Sequence, residues 1–351
     1  MSHIIRKKSA STTYGPECIC YDGTYFWGVA ATGTSTTSII RYSVNATTYA
    51  VTATRYTVSG ANSLNSFDGV VADGTYLYAV IVSVGQRVLH IFDKSSTPVH
   101  VASYNIGGDY DYGCDIVLDT QGYIIIINGD SGTPSWNLNI YSFDGSNIAM
   151  VLENTYTLCI TKGALWDGQA FIFNCNPYSG GAWQAGTLRR VTFIGGTLSF
   201  TDTKAYGVAN SSDAAGVCTD GQYYFAAQYR TIYAVDYAEG GFTAALASAT
   251  IDEEISDVRC DGAYIYVLSS ETSLQNLYVY TFDGTAFTRV SFCQGAYGST
   301  ALNRHRMVFS DKVIAVTSAS GVEFFHLDVV AQFNANRLTG RAPLTVEFTA
   351  I

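Results

Sequence analysis

The residues of this chain that could do chemistry are few, and the densest group is acidic. The run Gly107-Gly-Asp-Tyr-Asp-Tyr-Gly-Cys-Asp115 places Asp109, Asp111 and Asp115 in one loop, and such carboxylate oxygens are calcium ligands. A complete EF-type loop would also carry the Asp-x-Asp/Asn-x-Asp/Asn-Gly core and a later Glu, which are absent. The run therefore reads as a solvated loop of Asx turns, with calcium the one cofactor it suggests. Tyr110 and Tyr112 in the same run are candidate ligand contacts. Asp68, Asp115 and Asp257 each stand before an apolar run at similar spacing. They could form an acidic ring for a cationic ligand, or cap backbone N–H groups in loops, and the capping reading is preferred.

Two longer polar segments carry aromatic residues: Gly129-Asp-Ser-Gly-Thr-Pro-Ser-Trp-Asn, and Asn174-Cys-Asn-Pro-Tyr-Ser-Gly-Gly-Ala-Trp-Gln-Ala-Gly. Trp136, Tyr178 and Trp183 there could stack against sugar rings, or fold back over their own loops. Catalytic signatures are weak. His3, His90, His100, His305 and His326 lack metal-ligand spacing, and three of them lie in strand patterns. No Gly-x-Ser-x-Gly elbow, His-Glu-x-x-His pair or P-loop occurs. A glycosidase needs only two facing carboxylates, which a sequence does not display.

The elements that must position these residues follow from composition and periodicity. The 351 residues are 48% hydrophobic and 14% charged, with 26 Tyr and a net charge of −10. That excludes disorder, and so acidic a chain lacks the basic footprint of a nucleic-acid binder. No apolar stretch is long enough to span a bilayer. The start, Met-Ser-His-Ile-Ile-Arg-Lys-Lys, has no apolar signal region. Eight Cys are too sparse for a disulfide scaffold, and Cys18, Cys20, Cys114, Cys218 and Cys260 sit in apolar runs as reduced core thiols.

A short apolar run, a turn beginning with Asp, and a Tyr-rich alternating run recur along the chain. The turns begin at Asp22, Asp73, Asp119, Asp167, Asp220, Asp261 and Asp311. Their mean spacing of about 48 residues is that of a four-stranded propeller blade. Asp-Gly between alternating runs predicts a type I′ hairpin. A third strand follows in each unit, such as Arg87-Val-Leu-His-Ile-Phe-Asp, and then a Thr-rich outer strand. The last unit supplies three strands, His305-Arg-Met-Val-Phe, Lys312-Val-Ile-Ala-Val-Thr and Val322-Glu-Phe-Phe-His-Leu. Its missing outer strand is assigned to Ser2-His-Ile-Ile-Arg-Lys.

Over residues 1–330 this pattern resembles the seven-bladed β-propeller superfamily, without the Gly-His…Trp-Asp or kelch Gly-Gly signatures of particular subfamilies. The expected fold class is all-β, with four-stranded blades and closure by the N-terminal strand. Residues 331–351 resemble the opening strands of a PKD domain, an immunoglobulin-like sandwich, at Phe333, Ala335, Gly340, Ala342, Pro343, Leu344, Val346 and Phe348. The remainder of such a domain is absent, so the segment is expected to be an incomplete sandwich.

The expected function is a non-enzymatic structural or adhesive protein of an extracellular assembly, such as a bacteriophage tail or virion appendage, by fold-level analogy. Its expected partners are other protein subunits and surface glycans, without nucleic acid or membrane insertion. The alternatives are a carbohydrate-binding module using Trp136, Tyr178 and Trp183, and, last, a propeller-fold glycoside hydrolase or lyase.

Overall fold

The computed structural model describes residues 2–11, 16–33, 36–45, 47–60, 67–83, 86–107, 112–130, 135–157, 159–179, 182–208, 214–238, 241–269, 276–294, 307–310, 313–318, 321–329, 333–335 and 348–350. For Ser2–Ser11, Tyr112, Trp136 and a few other strand positions the description is of the backbone alone. The described residues are strands and their turns, and none forms a helix long and apolar enough to cross a membrane.

Seven antiparallel sheets carry the seven repeats. Blade 2 shows the plan: Phe67–Ala72, Tyr76–Ser83, Gln86–Asp93 and His100–Asn105, from inner strand to outer. The other inner strands are Cys18–Tyr21 in blade 1, Tyr112–Leu118 in blade 3, Cys159–Trp166 in blade 4, Ala214–Thr219 in blade 5, Ile255–Cys260 in blade 6 and Met307–Ser310 in blade 7. The outer strand of blade 7 is Ser2–Ser11, which pairs antiparallel with Gly321–Val329 from Ser2 opposite Val329 to Ser11 opposite Gly321. The N-terminal strand thus closes the last blade, as the repeat pattern predicts.

The core is divided in the same way. It falls into seven hydrophobic clusters, and each straddles one blade interface. The cluster between blades 7 and 1 closes the ring, with Ile19, Phe26, Ile40 and Tyr42 facing Val313, Ala315, Val322 and Phe324. There Phe324 meets Phe26 edge-on with ring centroids 5.5 Å apart, a geometry that aromatic quadrupoles favour. A sheet with two apolar faces cannot be stable alone, so each blade depends on both neighbours. This is a seven-bladed β-propeller.

Outer strands expose an edge, and the sequence blunts it. Register breaks opposite Ile91/Phe92, Ile140/Tyr141, Arg190/Val191, Ala234/Val235 and Val279/Tyr280 put a bulge in the outer strands of blades 2 to 6. Bulges twist an edge away from in-register pairing with another chain. At the C-terminus, Phe333–Ala335 pairs with Phe348–Ala350 in a two-stranded ladder; residues 336–347 lie outside the described residues.

The hairpin turns differ from the type I′ expectation. A type I′ turn needs positive φ at both central residues, yet between Asp22 and Tyr25 only Gly23 (φ 93°) is left-handed, and between Asp261 and Tyr264 only Gly262 (φ 93°). Asp22 N donates to Tyr25 O at 3.1 Å, and the Asp22 carboxylate replaces its own carbonyl as acceptor for the returning N–H groups. Side-chain acceptance selects this Asx-type turn.

Strand order fixes two faces. Turns between the first and second strands, and between the third and fourth, emerge on one face, called here the turn face. Connections between second and third strands, and between blades, emerge on the other, the loop face.

Candidate functional site

On the turn face the aspartates are built into the fold. Asp22 Oδ1 accepts the N–H groups of Thr24 and Tyr25 at 2.8 Å each, and Oδ2 accepts the indole N–H of Trp27 at 2.7 Å. Lys94 of blade 2 reaches the same Oδ2 at 2.7 Å and also donates to the carbonyl of Asp73. Burial disfavours the Asp22 carboxylate, but Lys94 and these donors outweigh it and hold the group below its usual range. Asp73 and Asp261 repeat the clamp with the phenols of Tyr78 at 2.6 Å and Tyr266 at 2.7 Å. Asp167 receives Tyr224 of blade 5 at 2.7 Å, and the Arg190 guanidinium lies 3.8 Å away. Sequence reading found the turns and missed these clamps. The available signal was the Trp or Tyr five positions after the turn Asp, at Trp27, Tyr78 and Tyr266.

Asp68, Asp115 and Asp257 lie inside inner strands at their loop-face ends, rather than ahead of them, and all three are buried. Asp115 accepts from Ile116 N at 2.9 Å and, across the blade interface, from Ala164 N at 2.7 Å. Asp257 accepts from Val258 N at 2.9 Å and from Arg259 Nε at 3.3 Å. Asp68 faces the buried Arg87 at 3.6 Å. These carboxylates cap and pair within the fold, in agreement with the preferred sequence reading. Beside Asp68, the Glu17 carboxyl accepts the Phe67 N–H. Burial above all, with Asp68 adding to it against the Phe67 bond, pushes Glu17 up to about 7.

The central channel holds a cavity of about 410 Å³ lined by inner strands of blades 1, 2, 3, 4, 6 and 7. Two positions before the turn Asp, these strands and that of blade 5 present Cys20, Val71, Val117, Leu165, Cys218 and Phe309; only blade 6 differs, with Arg259. Burial opposes the charge of Arg259, yet Asp257 and Asp115 overcome it and hold the guanidinium protonated. Among the described lining residues the cation is therefore balanced from within.

The loop face of blades 4 and 5 is different. Tyr178 and Trp183 are not on an irregular loop: they pair across a short ladder, with Ser179 opposite Ala182, and their rings meet at 63° with centroids 4.9 Å apart. Gln184 ties the hairpin, donating from Nε2 to the carbonyls of Ser179 and Ala182 at 3.1 Å each. The start of the same segment is core. Asn174 is fully buried and donates to the carbonyls of Ala215, Gly216 and Ala227 in blade 5 while accepting from the Tyr206 hydroxyl. Gly186 O accepts from Tyr206 N and Gly207 N, and Val208 exchanges hydrogen bonds with the Gln228 amide. Gln228 leads directly into the turn of blade 5, Tyr229-Arg230. Tyr229 is left-handed (φ 54°) and 38% exposed, with the Arg230 guanidinium 5.0 Å from its ring centroid. Val208 is 62% exposed. Tyr178, Trp183, Val208, Tyr229 and Arg230 thus share one stretch of the loop face, carried on a buried polar framework.

Trp136 falls in the third strand of blade 3, Ser135–Phe143, opposite Gly129 and Tyr156, rather than on the preceding loop. Tyr112 opens the inner strand of blade 3. Asp109, Tyr110 and Asp111 lie outside the described residues. Among the described residues no group of three His, Cys, Asp or Glu could hold a metal, and both oxygens of Asp115 already accept backbone N–H groups.

No protein-family profile matches the chain, and no curated protein sequence matches it. Solved structures do. A functionally unknown protein from Desulfotomaculum acetoxidans is similar at 12% identity and TM-score 0.59, over 84% of this chain and 88% of its own. The WD40 domain of Toxoplasma gondii coronin is similar at 12% identity and TM-score 0.56, covering 94% and 87%. Saccharomyces cerevisiae Sqt1 is similar at 8% identity and TM-score 0.55, covering 93% and 98%. The likeness is one of fold.

Proposed function

We propose that the propeller is a non-enzymatic recognition module of an extracellular assembly, of the kind found in bacteriophage tails and virion appendages, and that it engages its partner through the loop face of blades 4 and 5. The observation that supports this most is Tyr229: a partly exposed aromatic side chain on a left-handed backbone, on the same face as the Tyr178–Trp183 pair of the neighbouring blade. Backbone strain of this kind gathers at binding sites. Among the described residues Asp68, Asp115 and Asp257 are turned to capping and pairing, which favours recognition over catalysis.

Sedimentation of the native protein from its source lysate, before and after a high-salt wash, tests the reading. Pelleting with large particles that resists the wash is expected. A small species that stays in the supernatant would overturn the assembly role. A second reading, sugar binding, is favoured by the Tyr178–Trp183 pair, because an edge-to-face aromatic corner offers an apolar ring face beside a polar rim. It predicts millimolar to micromolar glycan affinity that Trp183→Ala abolishes; unchanged affinity in that variant would remove it.

A further inference from the structure

Blades 5 and 6 meet closely at their inner strands. A Cβ on Gly216 would lie 2.3 Å from Val258 N and 2.8 Å from Asp257 Oδ1, so only a glycine permits this approach. Two residues beyond Gly216 stands Cys218, and two beyond Val258 stands Cys260. Both cysteines are free, Cys218 buried and Cys260 half-buried, and both pack in the cluster that joins these blades. Each cysteine thus sits two residues past the point of closest approach, on adjacent inner strands. Neighbouring strands that run side by side at this spacing bring Cβ atoms within the range a disulfide bridges.

We propose that Cys218 and Cys260 are a latent disulfide, a modification site that takes a small-molecule disulfide as oxidant and covalently ties blade 5 to blade 6. Burial, then the contact with Cys260, holds Cys218 as a thiol, so exchange starts at the more exposed Cys260. The Cys260 thiolate attacks one sulfur of oxidised glutathione. The S–S bond breaks, and one glutathione leaves as a thiolate that takes up the proton Cys260 released. Cys218 then attacks the mixed disulfide at Cys260 Sγ, and the second glutathione departs with the proton from Cys218. Two protein thiols lose two electrons together, and one glutathione disulfide becomes two thiols. A cysteine pair buried in a core is otherwise interchangeable with two alanines or valines, whereas this pair converts a non-covalent blade contact into a bond once the surroundings become oxidising.

The full chain, purified reduced, is equilibrated with oxidised glutathione and digested without reduction. The expected result is a cross-linked peptide joining Cys218 to Cys260, loss of two hydrogens from the intact mass, and a rise in Tm of about 3–6 °C that dithiothreitol reverses. Cys260→Ser is expected to abolish the cross-link and the Tm rise while matching the reduced protein's fold by circular dichroism. Cys218→Ala gives the same outcome from the other side, should the serine disturb packing. An unchanged thiol count in denaturant would overturn the proposal. So would glutathione that stays on Cys260 without transfer to Cys218, or a cross-link that joins other cysteines.

Discussion

The two faces of the ring use the same residue types to opposite ends. On the turn face a carboxylate follows almost every inner strand, and each one described is consumed: by N–H groups of its own turn, by a Trp or Tyr five residues on, or by Lys94 or Arg190. Left-handed positions in those turns belong to glycine. On the loop face Asn174 and Gln228 form the buried framework, and the aromatic residues project beyond it. There a tyrosine, not a glycine, holds the left-handed turn of blade 5. Tyr49 is also left-handed, at the turn-face end of blade 1, but it packs against the cluster between blades 7 and 1. The difference teaches that the turn face is where the fold specifies itself, while the loop face carries features the fold does not need.

The largest effect should come from breaking a turn clamp that also bridges blades. Asp22→Ala strands the Trp27 indole N–H and two backbone N–H groups, and leaves the Lys94 ammonium, 8% exposed, without its partner. Removing one member of a buried ion pair costs about 3–5 kcal/mol, measurable by urea denaturation. Asp144 is the control: it makes the same turn through Ser146 N and Asn147 N, whose bonds hold it down to about 2, but its hydrogen bonds among the described residues stay within that turn and it is exposed. Asp144→Ala should lower Tm far less than Asp22→Ala. Equal losses would break the comparison, because the local turn alone would then carry the stability.

The next effect is in pH. Glu17, at the loop-face end of the channel, is pushed up to about 7, above an unfolded value near 4.3. Its contribution is present below about pH 4.3 and is lost as pH rises through about 7. His90 opposes it. Burial, with His100 at 3.1 Å, pushes His90 down to about 4, so its contribution is present above about pH 6.5 and is lost as pH falls through about 4. Glu17→Gln, which keeps an acceptor for Phe67 N, should stabilise the protein above pH 7 and leave the acid loss from His90 uncovered. The expected size is on the order of a few kcal/mol across the window. A Glu17→Gln protein with an unaltered stability profile from pH 4 to 8 would show that the loop-face end of the channel is as settled as the turn face.

Much of this fold was legible because its signals are local. The Asp turns and alternating Tyr-rich runs recur at a fixed spacing, and the three strands before residue 330 left one place for Ser2–Ser11. What escaped were relations between residues distant in sequence. Lys94 meets Asp22 across 72 positions, and Asn174 meets Ala227 across 53. Trp136, read as a loop aromatic, is in a strand that begins at Ser135. Tyr178 and Trp183 were legible as a pair of aromatics on one segment, but the ladder that joins them was not. The break before the third strand at Thr231 was legible, but the left-handed backbone of Tyr229 was not.

The smallest effect on stability, and the sharpest test of the contrast, is Tyr229→Gly. A β-carbon in the left-handed region costs about 1–2 kcal/mol, and glycine removes that cost while adding backbone entropy to the unfolded chain. The ring is 38% exposed, and the Arg230 guanidinium lies 5.0 Å from its centroid, so the packing forfeited is partial and offsets part of that gain. The net change in unfolding free energy should be within about 1 kcal/mol of zero and on the stabilising side. Partner binding should weaken in the same variant, because the aromatic is gone while the turn remains. A large destabilisation would mean that Tyr229 belongs to the fold after all, like Tyr49. Improved stability with lost binding would mark the loop face as a surface on which strain is retained for recognition.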